Sequence, residues 1–88
     1  MYLIAVYDIG TRRLPKMLKL FRQYLHWVQN SVFEGELTES QVHVLTERAG
    51  ALMDPDTDSL ILYRFSGNKY LRRDIYGLQK GQTDHILE

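Results

Sequence analysis

"YLIAVYDIGTRRLPKMLKLFRQYL", residues 2–25, carries two hydrophobic periods in succession, and the change from one to the other decides the fold. Tyr2 to Tyr7 is an unbroken run of apolar, β-branched and aromatic residues, the composition of a strand, and it closes on the carboxylate of Asp8. Both alternating sets, Tyr2, Ile4 and Val6 on one face and Leu3, Ala5 and Tyr7 on the other, are apolar, which predicts burial on two faces and a central place in a sheet. Gly10 and Thr11 break the run. Pro15 suits the first turn of a helix, where its missing N–H has no partner to lose. From there Met17, Leu18, Phe21, Tyr24 and Leu25 recur at steps of three and four, the helical period. Lys16, Lys19 and Gln23 fall on the opposite side with Arg22 beside them, so this helix buries one face and shows a basic one.

Beyond it, residues 25–37 are too long for one ordinary strand, and Gln29-Asn30-Ser31 interrupts them with turn-forming residues. Two short antiparallel strands are expected, at about 25–29 and 32–37. Thr38 stands three residues before Gln41, the spacing of a reciprocal helix cap, and Val42, Leu45, Ala49 and Leu52 or Met53 follow at helical steps. This second helix should span about 39–52 and stop at Asp54-Pro55. Residues 58–65, "DSLILYRF", read as a further strand, and 70–76, "YLRRDIY", as an added strand at an edge. The order is strand, helix, strand, strand, helix, strand, plus one. Two such strand-helix-strand units give an α+β, ferredoxin-like sheet with both helices on one face. The expected domain is 1–76, followed by a C-terminal tail, 77–88, that either adds a strand to a partner subunit or stays mobile.

Such an arrangement leaves the second sheet face bare although its residues are apolar. The simplest cover is the same face of another copy, giving a homodimer with facing sheets. A chain of 88 residues buries roughly 60–65% of its unfolded surface, so association adds core that a single copy lacks. The chain has no cysteine, which excludes disulfide staples and cysteine zinc sites. No basic stretch followed by an apolar segment opens it, and no apolar run nears the roughly 18 residues of a membrane span, so a soluble cytoplasmic protein without a membrane partner is expected. Its 11 basic and 11 acidic residues cancel, but Arg12, Arg13, Lys16, Lys19 and Arg22 crowd together near the start while most acids occupy the middle. A positive face is therefore compatible with zero net charge.

Asp8 stands alone: no second acid lies near it in the chain. In a twofold dimer, a residue near the axis meets its own image, so two Asp8 carboxylates are expected to face each other with a cation between them. Magnesium suits this place, since it needs few protein oxygens and keeps several waters. The plainer alternative is that Asp8 only caps the following turn.

"YLIAVYDI", the arginines after it, "RLPKMLKLFRQYL", "WVQNSVFEGELTE" and "DSLILYRF" together resemble the CRISPR-associated endoribonuclease family, the small second core protein of CRISPR adaptation. The strongest signals are Tyr7-Asp8-Ile9 after an apolar strand and Val28-Gln29-Asn30-Ser31-Val32-Phe33-Glu34-Gly35 some twenty residues later. The resemblance spans residues 2 to about 76. It implies a ferredoxin-like homodimer in which Asp8 is the catalytic, metal-associated aspartate. It further implies a partner, the larger CRISPR integrase, whose subunits the dimer bridges while binding DNA during spacer acquisition. Magnesium-dependent endonuclease activity on RNA or DNA is the second implication, and a non-catalytic scaffold in which the Asp8 pair is structural is the alternative. Arg12 and Arg13 are expected to hold phosphate oxygens, and Lys16 and Lys19 to follow a nucleic-acid backbone; for each the alternative is an ordinary solvated position. Phe33 is expected in the core, and Gln29, Asn30 and Ser31 in the hairpin turn. His26, His43 and His85 show no metal-ligand spacing. Base stacking on an open sheet is not expected, since the basic-Gly-aromatic signature is absent from "DSLILYRFSG" and Tyr2 and Tyr7 face opposite ways.

Overall fold

A computed structural model describes residues 1–79. The elements run β1 (Tyr2–Asp8), α1 (Leu14–Arg22), β2 (His26–Gln29), β3 (Val32–Glu36), α2 (Glu39–Leu52), β4 (Ser59–Ser66) and β5 (Lys69–Gly77). The strands form one antiparallel sheet in the order β2-β3-β1-β4-β5, with β1 between β3 and β4 as its unbroken apolar run predicts. The architecture is the expected α+β, ferredoxin-like one with an added edge strand, and β5 reaches Gly77, one residue past the expected boundary. Of the expected tail, 77–88, residues 80–88 lie outside the described part of the chain.

The strand period divides β1 cleanly. Leu3, Ala5 and Tyr7 are buried under the helices, whereas Tyr2, Ile4 and Val6 on the other face are only half-buried. Register carries that second face across the sheet: Ile4 lies opposite Glu34 and Tyr63, and Val6 opposite Val32 and Ile61. Among the described residues, β1 is fully buried on its helix-side face only. Under the helices, Tyr7, Phe21 and Phe33 form an aromatic triad with ring centroids 5.2–5.9 Å apart. Phe21 and Phe33 have no exposed surface, and burial of side chains this large stabilises by roughly 1.5–3 kcal/mol each.

α1 places Met17, Leu20 and Phe21 in the core. Leu20 takes the buried place expected of Leu18, which is partly buried and packs against the core from its edge. α2 starts with the expected reciprocal cap: Gln41 N donates to Thr38 Oγ1 at 3.1 Å, and Thr38 N donates to Gln41 Oε1 at 2.9 Å. Val42, Leu45 and Ala49 are its buried residues. No helix among the described residues is long and apolar enough to cross a membrane.

Candidate functional site

At the C-terminal end of β1 the chain must leave the sheet and enter α1 within a few residues. Asp8 is exposed there, opposite Ser59 and on the face away from the helices with Val6. Ile9 turns back into the core. The loop from Gly10 closes through Arg13 N donating to the Gly10 carbonyl at 2.9 Å, and α1 starts one residue later.

Asp58, just before β4, holds this loop. Its carboxylate has no exposed surface and accepts from Gly10 N at 2.8 Å, Asp54 N at 2.9 Å, and Arg13 Nε and Nη2 at 2.6 and 3.0 Å. Hydrogen bonding from Arg13, aided by the backbone N–H groups of Asp54 and Gly10, outweighs burial and holds its pKa far below the usual carboxylate range. The Asp58 carbonyl in turn accepts from Leu78 N at 2.8 Å. Gly77 beside it has φ +81°, and a Cβ there would overlap that same carbonyl, so only glycine fits. One buried acid thus ties the β1–α1 loop, the α2–β4 loop and the exit from β5.

The expected phosphate-binding residues part company in this frame. The Arg13 guanidinium is taken up by Asp58, with Thr57 Oγ1 beside it at 3.4 Å. Arg12 is exposed in the loop that follows Asp8. Lys16 and Lys19 are exposed on α1 but line a groove of about 520 Å³ against α2, together with Leu20, Gln23 and Arg48. Arg48 is held by Gln23 Oε1 at 3.1 Å and by Tyr24 Oη at 2.9 Å. Sequence reading missed Asp58 and Arg48: Asp58 looks like the first residue of a strand, and Arg48 is a single cation in an acidic stretch. The turn at Asn30-Ser31 forms as expected, with Asn30 at φ +46° and the Ser31 carbonyl accepting from Tyr7 N at 3.1 Å. The two motif stretches around Tyr7 and Asn30 therefore meet.

Among the described residues no three His, Cys, Asp or Glu side chains converge as a metal cage. Asp8 is an exposed carboxylate at this end of the sheet. An exposed carboxylate suits a hard cation that keeps most of its waters, rather than a closed cage of three acids among the described residues.

The family pattern described as CRISPR associated protein Cas2 matches residues 1–73. The chain is 43% identical over 86 residues to a CRISPR-associated endoribonuclease Cas2 of Methanothermobacter thermautotrophicus, covering 98% of this chain and 94% of that one. A relative of the same name from Dictyoglomus turgidum is 41% identical over 87 residues, covering 99% and 100%. The crystal structure of a Cas2 protein superposes with a TM-score of 0.74 at 37% identity, covering 99% of this chain and 98% of that one.

Proposed function

Since the chain belongs to the CRISPR-associated Cas2 family, we propose that it acts as a homodimeric, magnesium-dependent endonuclease that cleaves phosphodiester bonds in RNA, with Asp8 of each copy as the catalytic carboxylate. The observation that carries this reading is the position of Asp8: exposed, at the end of the central strand, on the half-buried apolar face that a second copy would cover. A twofold axis near that strand end brings the two acids together. Magnesium held by an oxygen from each would lower the pKa of a bound water and neutralise charge on the phosphate. Arg12 binds the phosphate from the adjoining loop, while Arg13 keeps that loop in place through Asp58. Lys16 and Lys19 add backbone contacts that position the strand without reading its sequence.

Asp8→Asn is expected to reduce magnesium-dependent RNA cleavage at least roughly 100-fold, the scale of the transition-state charge stabilisation at stake, while the dimer persists. Equal cleavage by the two proteins would reject Asp8 as the catalytic group. A second reading is favoured by the same donor chemistry: no three acid or histidine side chains converge among the described residues, and the dimer serves as a non-catalytic scaffold in CRISPR adaptation, bridging integrase subunits and holding DNA during spacer acquisition. In that case Asp8→Asn leaves spacer acquisition intact. Charge reversal at Arg12, Lys16 and Lys19 then weakens salt-sensitive DNA binding.

A further inference from the structure

On the side of α1 away from α2 lies a second cleft of about 520 Å³, lined by Tyr7, Leu14, Pro15, Leu18, Asn30 and Ser31. Its walls come from the end of β1, the first turns of α1 and the β2–β3 turn. They join the two motif stretches that the β1–β3 register brings together. Leu14, Pro15 and Leu18 offer the apolar surface, Tyr7, packed against Phe21 and Phe33, adds little exposed area, and Asn30 and Ser31 bring an amide and a hydroxyl. No lining residue is acidic.

We infer that this cleft is a nucleobase subsite, taking one unstacked base of a single-stranded RNA whose phosphate lies at Arg12, with Asn30 and Ser31 bonding the base edge. The inference rests on the RNA reading above and adds to it what the strand must present. Three observations support it. Tyr7 and Asp8 are consecutive residues of β1 on opposite faces of the sheet, and Leu14 and Pro15 follow Arg12 closely in the chain, so the cleft lies on the helix side of the same strand end that carries the candidate site. The lining pairs apolar walls with a few polar edge groups, the makeup with which proteins bind unpaired bases. Cations border it: Pro15 falls between the exposed Arg12 and Lys16, and Arg22 continues the Leu14–Leu18 stripe one turn on. Arg22 is near enough to the Tyr7 hydroxyl to draw its pKa down against the burial that raises it. A phosphate flanking the base would thus meet positive charge.

The turn is already fixed for this use. Trp27 Nε1 donates to the Asn30 carbonyl at 2.9 Å and Tyr7 N to the Ser31 carbonyl, so the backbone carbonyls of both lining residues are tied. Asn30→Gly therefore removes the amide yet accepts the left-handed φ without strain. Ser31→Ala removes the hydroxyl alone.

The test measures binding of short single-stranded RNA to the full-length chain carrying Asp8→Asn, which keeps the RNA intact, over a range of salt. An abasic nucleotide is moved along the RNA one position at a time. One position is expected to cost roughly 5- to 100-fold in affinity, the scale of one stacked base. Asn30→Gly with Ser31→Ala should shrink that penalty several-fold without changing the salt dependence. If no abasic position matters while Arg12→Gln still lowers the salt slope by about one, the subsite is wrong and the RNA reading stands. A penalty that both turn variants leave intact places the base elsewhere and also overturns the subsite. A shift in the dimer equilibrium with unchanged base penalty makes the cleft a contact between copies, which is equally fatal. RNA that does not bind at all sinks both readings.

Discussion

A single buried carboxylate does more for this fold than any exposed charge. Asp58 has lost all contact with water and receives two backbone N–H groups and a two-pronged guanidinium instead. Those donors stabilise only the ionised form, so folding lowers its pKa below the unfolded value of about 3.9. The stabilisation is therefore complete above that unfolded value and is lost as pH falls through the folded one. Asp58→Asn keeps the shape but turns a donor toward Arg13 and leaves that cation without its counter-charge. It should cost about 3 kcal/mol at pH 7, the usual scale for breaking one side of a buried pair, and the gap to the unaltered chain should narrow below about pH 4. Urea unfolding at pH 7 and pH 3 measures both; a gap of constant size would show that charge is not what Asp58 contributes. The loop it secures carries Arg12, so the same substitution should also loosen the phosphate side of the candidate site.

At the scale of elements, order and type are legible in the sequence because each depends on local chemistry. The strand period of 2–8, the three-and-four spacing after Pro15 and the Thr38–Gln41 pair all act within a few residues, and the elements appear where those signals lie. The cap offers a clean measurement: Thr38→Ala leaves Gln41 N without its acceptor and should cost about 1 kcal/mol. In a chain of this size that lowers Tm by roughly 4–8 °C. Unchanged melting would mean that packing of Val42, Leu45 and Ala49 alone sets the start of α2. What the sequence conceals are contacts between distant segments. Arg13 and Asp58 are 45 residues apart, and nothing near either one shows that the arginine will be spent on a buried acid rather than offered to a phosphate. Leu18 and Leu20 are equally apolar, and Leu20 is the one that falls with Met17 and Phe21 on the buried face of α1. Asp8 was legible as an exposed acid at a strand end; the Asn30–Ser31 cleft needed the sheet register that brings Tyr7 to Ser31.

For the whole molecule the decisive surface is the side of the sheet away from the helices. Ile4, Val6, Ile61, Tyr63, Phe65 and Ile75 are half-buried there, all short of full coverage, while Leu3, Ala5, Phe33, Leu60 and Leu62 on the other face are fully buried. A second copy laid on this surface would finish burying β1 and carry Asp8 toward its image. The expected behaviour is a dimer by sedimentation and a Tm that rises with protein concentration. Ile61→Lys is tolerable on a surface open to water, but within the dimer it buries an unpaired ammonium in each copy at several kcal/mol per ion. It should yield a folded monomer that no longer cleaves. Mixed dimers then separate a shared site from two independent ones. When Asp8→Asn chains are unfolded, mixed in equal amount with unaltered chains and refolded together, random pairing leaves about one quarter of dimers with both acids. Cleavage falling to that quarter shows that each phosphodiester needs a carboxylate from both copies, whereas cleavage falling only to half shows that one Asp8 suffices and that dimerisation serves packing alone.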